Sequence, residues 1–452
     1  MRTPGLTRRE LLRDAALLSV GASPLAALLS GCGGGTADKS AAAARPFTPT
    51  FYNWITSLHP AIEQSVNPDF AKNCPLDSKI APVQGFGIDR FVTEAREKSS
   101  SWDVYVGMTP FVEMAALIDA GVIEPWDAYI PKDVLEDIIP SVRAEGTVGG
   151  KLYGWPFLLD VTLQGWNASL VEKAGLDPAK APRTWDEYLA NAKKVVDSKA
   201  APFGCTFDAH GWRSLAPIAH SIDTRVYTPD GLFDFTHDAA VQALELMRRM
   251  KELANPNVLN PGATDGGVND TPDEGVFAGR QAAYYIKYQN APRRCANTWP
   301  DPAKLQLAGL PKTENGGGGT VFWATGAALF RYGQNKPQAA QYMKALTYDE
   351  RVWRHSVSGR EGSGHLPIYR STWNSWKEKP PEWMKNWAFL VREQLDSSQA
   401  IRTHKFGLAQ FNLGQPHWEK YLKGEEPDAK KAMQQARDAV QAEVQKSAKK
   451  PG

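Results

Sequence analysis

Cysteine is scarce in this sequence. Cys32, Cys74, Cys205 and Cys295 are the four in 452 residues, too few and too scattered for a disulfide framework or a paired zinc site. Net charge is scarce too, at a formal +2. Residues 1–31 hold Arg2, Arg8, Arg9 and Arg13 against Glu10 and Asp14, which accounts for all of it and leaves the remainder formally neutral. A neutral chain lacks the basic footprint of a nucleic-acid binder. The apolar run Ala15–Gly31 is charge-free for only 17 residues. A membrane-spanning helix needs roughly 20, and Pro24 interrupts this one. The eight histidines never form H-x-x-x-H or a Cys/His cluster of zinc spacing. No G-x-S-x-G follows residue 31. "ENGGGG" lacks the Lys-Ser/Thr of a phosphate loop, and "DGGVNDTPDE" lacks the alternation of a calcium loop. No metal or cofactor is expected.

What is present begins at the N-terminus. A charged front, "TRRELLR", precedes the apolar run, and small residues close it, which is the layout of an export signal. Arg8-Arg9 with Leu11-Leu12 resembles the twin-arginine export motif. Leu29-Ser30-Gly31-Cys32 resembles the bacterial lipobox, which implies cleavage before Cys32 and lipidation of its sulfur. Residues 1–31 therefore read as a lipoprotein signal peptide. Residues 32–45, small and glycine-rich, read as a flexible tether. Folding is expected to begin near Pro46.

The remaining chain, about 420 residues, exceeds the roughly 250–300 at which single cores stop growing, so two lobes are expected. "TPTFYNWI" (48–55), "DSKIAPVQGF" (77–86) and "SWDVYVGM" (101–108) read as strands. "DRFVTEAREK" and "VEMAALIDAG" read as helices, the second closed by Gly121. Such alternation argues for α/β lobes with mainly parallel sheets. Two extended segments flank Asp160. "RTWDEYLANAKKVVDS" carries a capping box, Thr184 with Glu187, and its stripe from Trp185 to Val196 marks a core helix. Thr271, Pro272 and Glu274 open another helix. Arg280–Gln289 and Gly319–Tyr332 read as strands. "KPQAAQYMKALTYDERVWRHSV" and the charged tail from Asp428 read as helices.

The order of "SWDVYVG", "GVIEPWDAYI", "YGWPFLLDVTLQGWNASLVEKAGLD", "RTWDEYLANAKKV", "GVFAGRQAAYYIK", "GGTVFWATGAALFRYGQNKPQAAQYMKALT" and "GHLPIYRSTW" resembles the extracellular solute-binding proteins of bacterial ABC importers, the group that includes maltose-binding protein. The resemblance covers roughly Pro46 to Lys446. It implies a two-lobe α/β periplasmic-binding-protein fold (type II) with ligand held in the cleft and three chain crossings, placed near Asp160, Ala308 and Arg331. Residues 46–160 plus 308–331 would form the first lobe, and 161–307 plus 332–452 the second. Cys205 and Cys295 then share a lobe and are the expected disulfide, with buried free thiols as the alternative. The implied protein is an exported monomer, lipid-anchored on the outer face of the cytoplasmic membrane. Its partners would be a small-molecule ligand and a membrane permease.

By position in the family pattern, the cleft residues are Trp54 and Thr56 after the first strand, and Met108 and Thr109 after "DVYVG". Asp160 sits at a crossing, where hydroxyl binding and hinge bonding are both open. Trp212 and Arg213 in "DAHGWRS", Tyr288 and Gln289, Trp323 in "VFWATG", and Glu361 and His365 in "REGSGHLP" complete the set. Flat rings suit the C–H faces of sugars, and the family resemblance puts a carbohydrate first. "FYNWITS" and "GGTVFW" also resemble the polyamine-binding branch, which cages ammonium groups with rings and carboxylates. Asp160 and Asp208 could supply charge for that. Ala324 and Thr325, however, stand after Trp323 where an acid would help, so polyamine or another small polar solute ranks second. A lipid-anchored glycoside hydrolase needs two carboxylates at a defined separation. No local signature raises any pair, so no enzyme is expected.

Overall fold

The computed structural model describes residues 45–79, 83, 88–259, 272–313, 319–357, 362–379 and 394–449. Cys32 and the leader before it, Thr271, Glu361 and most of the second expected strand lie outside these residues. A compact unit begins at Pro46.

The described strands are β1 (Pro49–Phe51), β2 (Val104–Met108), β3 (Ile123–Glu124), β4 (Thr147–Val148), β5 (Lys151–Leu152), β6 (Gly154–Asn167), β7 (Phe203–Phe207), β8 (Ala282–Tyr288), β9 (Leu305–Ala308), β10 (Val321–Phe330) and β11 (Gln399–Ala400). One sheet runs β1-β2-β10-β6-β8-β7, with β3 and β11 also on β10 and β9 also on β6. The two extended segments expected around Asp160 are one strand. β6 is 14 residues long and buried throughout. Its first half pairs with β10, and Thr162–Asn167 pairs with β8 and β9. The shared sheet is mixed rather than mainly parallel. β1/β2, β7/β8 and the short β10/β11 pair are parallel, while β6 pairs antiparallel with β8, β9 and β10, and β10 antiparallel with β2 and β3.

Two hydrophobic clusters pack on this sheet, the first on both faces of β2, whose Val104, Tyr105 and Val106 all join it. The first gathers Phe47, Val104, Trp126, Trp155 and Leu159. The second gathers Trp185, Tyr188, Phe207, Leu244, Phe411 and Trp418. Thr184 caps its helix as expected, its hydroxyl accepting from the Glu187 N–H at 3.1 Å. Glu187 reaches back one residue further than a capping box does, to the Arg183 N–H at 2.9 Å.

The lobe boundaries need correction. The chain does not cross at Arg331, whose N–H donates to the Val122 carbonyl in the first lobe at 2.9 Å. Residues 336–369 stay with the first lobe, because the Tyr342 hydroxyl donates to Asn67 at 2.6 Å, the Tyr348 hydroxyl donates to Asp137 at 3.0 Å and Leu366 bridges to Leu159. The return falls after β11, which pairs with β10 through Val321 and Gln399. Ile401 then joins the second cluster.

The expected disulfide is also corrected, since Cys205 and Cys295 are free and buried. Successive residues of a strand face opposite sides. Accordingly Tyr284 and Ile286 of β8 enter the second cluster, and Tyr285 between them enters the first. Cys205 packs in the second and Cys295 in the first, so the sheet stands between them. Their thiols point to different carbonyls, Met250 at 3.4 Å and Glu274 at 3.5 Å. Burial pushes the Cys205 thiol up to about 12 and raises Cys295 well above its ordinary value, so both are inert.

Candidate functional site

In open α/β sheets ligands meet the carboxyl ends of parallel strands. Four strand ends converge here. Helix Asn53–Leu58 follows β1 and carries Trp54. A π-helical turn, Pro110–Met114, follows β2 behind Thr109. Another, Gly211–Leu215, follows β7 and carries Trp212 and Arg213. Helix Asn290–Asn297 follows β8 and carries Asn290 and Arg294. Single π turns are frequent where a chain must aim side chains into a site. The floor comes from the long antiparallel pair, where Asp160 of β6 stands opposite Trp323 of β10. His365 enters beside them through the Leu159–Leu366 bridge.

Together these residues enclose about 80 Å³ of space for the centres of water molecules. Trp54, Thr109, Asp160, Trp212, Arg213, Tyr288, Trp323 and His365, all expected from sequence, line it. Thr56 and Met108 do not. Thr56 is half-buried on the helix carrying Trp54, and Met108 is fully buried in the first cluster. Gln289 does not line it either. Its side chain braces the wall instead, accepting from the Val161 N–H at 2.5 Å and donating to the Leu159 and Gly364 carbonyls at 3.1 and 3.2 Å and to the Asp160 carboxylate at 3.0 Å. Tyr52, Leu58, Val112, Asn290 and Arg294 also line the cavity and are not among the expected residues, and Thr325, weighed from sequence only as a position lacking an acid, lines it too. Asn290 and Arg294 were reachable by the strand-end rule that found Trp54, applied to the "NAPRR" that follows β8.

A larger groove of about 510 Å³, lined by Glu145, Phe322, Gln399 and Arg402 among others, is a separate feature. Phe322 and Trp323 are consecutive on β10 and face opposite sides of it, so this groove lies behind the strand that floors the cleft. We take the smaller cleft as the candidate site because Trp54, Trp212, Tyr288 and Trp323 meet polar groups from both lobes there.

Buried charge is concentrated in its second-lobe wall. Lys287 donates to Asp208 at 2.9 Å and to Asp273 at 2.7 Å. Arg213 holds Asp208 at 2.7 Å, and Arg294 holds Glu274 at 3.2 Å. Burial alone would raise the Asp208 carboxyl, but Lys287 and Arg213 outweigh it and hold it well below the usual range. The Nε atoms of both arginines are buried and make no hydrogen bond among the described residues.

Asp160 behaves differently. Burial raises its carboxyl to about 7, against hydrogen bonds from Asn290 and Gln289 and the nearby Arg294 charge. His365 is pushed well below its ordinary value, by burial first and then by His59 and Arg294. The 3.7 Å His365–Asp160 contact is therefore a neutral imidazole beside a carboxyl that is partly protonated near neutral pH, not an ion pair. Glu113 fixes Thr109 at the cavity edge by accepting its N–H at 3.1 Å.

The rings are packed edge to face. Trp323 meets Trp212 at 5.3 Å and Tyr288 at 5.1 Å. Trp54 stacks on His365 at 5.5 Å. The Arg213 guanidinium covers Trp212 at 4.5 Å.

A model of the bacterial extracellular solute-binding protein family matches residues 79–350. A putative binding protein of Brucella abortus (strain 2308) is 23% identical over 256 residues, 56% of this chain and 59% of that protein. The chain thus spans about three fifths of that relative's length. A probable amino-acid ABC transporter periplasmic-binding protein of Sinorhizobium fredii is 41% identical over 153 residues, 30% of this chain and 35% of the other. Among solved structures, maltose-bound MalE3 of T. maritima superposes with a TM-score of 0.69 at 18% identity, over 87% of this chain and 98% of that one.

Proposed function

The chain belongs to the bacterial extracellular solute-binding protein family, and on that premise we propose that it captures a carbohydrate by lobe closure and delivers it to the permease of an ABC importer. One observation carries this reading. Trp54, Trp212, Tyr288 and Trp323 surround a cavity whose polar groups include Asp160, Asn290 and Arg294. Flat rings cover the C–H face of a sugar while such groups bond its hydroxyls. A ligand touching both lobes favours the closed state by its differential affinity for it. The T. maritima neighbour has maltose bound.

The polyamine alternative weakens on charge. The protein's own Arg213 already occupies a face of Trp212, and Arg294 lines the same wall. A polyammonium ligand would meet both guanidinium groups. An amino acid is the better second reading. Asp160, whose raised carboxyl a ligand ammonium would help to ionise, and the two arginines line one small cavity, and the S. fredii relative is named for amino acids.

A thermal-shift screen against saccharides, amino acids and polyamines separates these classes, because saturating ligand adds on the order of 3 kcal/mol. A shift with saccharides alone supports the carbohydrate reading, and a shift with amino acids alone replaces it. For the ligand that shifts the protein, Trp212→Ala or Trp323→Ala should weaken binding about 30-fold or more, the effect of losing an aromatic anchor. Unchanged affinity by calorimetry in both variants would move the site elsewhere.

Export and anchoring through Cys32 complete the proposal, with the tether holding the binding unit near its permease. Cys32→Ala should move the protein from the membrane fraction to the soluble fraction of its host. Retention in the membrane pellet would remove the lipid anchor from the model.

A further inference from the structure

The cleft's size and the way its ends are closed constrain the ligand more than its chemistry does. The cavity offers about 80 Å³ to water centres. On that measure one water needs roughly 10–15 Å³ and accounts for about 30 Å³ of liquid, so the space corresponds to roughly 150–250 Å³ of material. That suits one hexose with its hydroxyls, whereas a disaccharide needs roughly twice as much.

One end is blocked by aromatic rings. Behind Trp212 and Trp323 sits Phe111, with ring centres 5.5 and 6.5 Å away and no exposed surface. Phe111 comes from the turn after β2 in the first lobe, yet it packs within the second hydrophobic cluster. A Cβ on Gly407 would lie 1.6 Å from the Phe111 carbonyl oxygen, so backbone meets backbone just past the rings. At the other end Trp54 stacks on His365, whose ring is held by His59 and Ser363, each at 3.1 Å.

We infer that the ligand is a single hexose-sized unit, a monosaccharide or hexitol, and that Phe111 sets this limit as the lobes close. The inference rests on the carbohydrate reading above and narrows it. A second sugar ring on the Trp212 side would have to push Trp212 and Trp323 back into the seat Phe111 takes behind them in this structure. Longer ligands are then rejected at closure rather than at first contact, because a ligand that cannot enter the closed state cannot stabilise it.

The test is calorimetry on the intact chain with hexoses and hexitols, and with the di- and trisaccharides built from the same hexoses. A monosaccharide or hexitol should bind at least ~100-fold more tightly than its longer counterparts, a steric discrimination larger than one methylene gives. Phe111→Ala should narrow that ratio to within about 10-fold by opening the blocked end. Phe111→Leu, with a melting curve, serves the same purpose if the alanine variant does not fold. Wild-type protein that binds a trisaccharide as tightly as its monosaccharide overturns the inference and leaves the carbohydrate reading standing. So does a length preference that neither variant alters, as far as Phe111 is concerned. A panel in which no saccharide of any length binds overturns the carbohydrate reading, and this inference falls with it.

Discussion

Replacing Lys287 with methionine is expected to destabilise the folded protein by about 3–5 kcal/mol, the usual cost of removing one partner from a buried ion pair. The side chain has no exposed surface and its ammonium is shared between Asp208 and Asp273, with Glu274 at 3.9 Å. Burial works against its charge, but Asp208 and Asp273 outweigh this and raise its pKa above the ordinary lysine value. Without it, Asp208 keeps Arg213 and His210. Asp273 keeps the Tyr285 hydroxyl at 2.5 Å but loses its cation. Asp273 is therefore where the strain falls. At roughly 2–4 °C per kcal/mol for a large domain, the melting temperature should drop on the order of 10 °C. Adding Asp273→Asn to Lys287→Met should return most of the loss, because a neutral amide has no charge to leave stranded. A single variant that melts within ~2 °C of wild type would show that these groups are hydrated in solution. Failure of the double variant to recover would assign the loss to packing of the lysine stem.

This network shows why part of the site was not legible in the sequence. Asp208 was noticed as an acid near a candidate tryptophan, and as a possible ammonium partner. Its partner Lys287 stands 79 positions away, the parallel pairing of β7 with β8 brings the two together, and Asp273 reaches the same lysine from the helix Pro272–Ala278. An acid already neutralised by Lys287 and Arg213 is a wall, not a ligand group. What was legible follows a local rule. Trp54, Thr109, Trp212 and Tyr288 each sit at or just after the end of a strand whose apolar run is plain in the sequence. The helix Trp185–Asp197 was legible from its own cap and stripe. The third crossing was not, because "GTVFWATGAALFRYGQNKPQAAQYMKALT" reads alike whether its helix packs forward or back. The bond from the Tyr342 hydroxyl to Asn67 decides it. The cysteine pairing failed for a related reason. Sharing a lobe does not put two residues on the same face of its sheet.

Gly407→Ala is expected to abolish tight binding while leaving the protein folded. Gly407 is the first residue of helix Gly407–Lys423, and nothing about its backbone conformation demands glycine. The demand comes from the opposite lobe. An added Cβ would lie 1.6 Å from the Phe111 carbonyl oxygen and 2.8 Å from its carbon, against the 3.0 Å that real contacts respect. The clashing atom is backbone, so no rotamer change relieves it. The turn after β2 must retreat by more than an ångström, and that parts the lobes beside Trp212 and Trp323. Phe111 packs within the second cluster, so the retreat loosens that edge of the core, while alanine is a better helix former than glycine by up to about 1 kcal/mol; the protein should stay folded, its melting temperature without ligand falling by no more than a few degrees. Apparent affinity scales with the fraction of molecules able to adopt the binding-competent state. If the closed form falls to under about 1% of the population, binding weakens by at least ~100-fold. Calorimetry reads the affinity. Small-angle scattering reads the cause, since ligand should no longer shrink the radius of gyration of the variant. Affinity within a few-fold of wild type would mean that the Phe111–Gly407 contact is incidental to closure. A folded variant that binds weakly and stays extended would place the control of closure in that contact, one backbone carbonyl resting on one glycine.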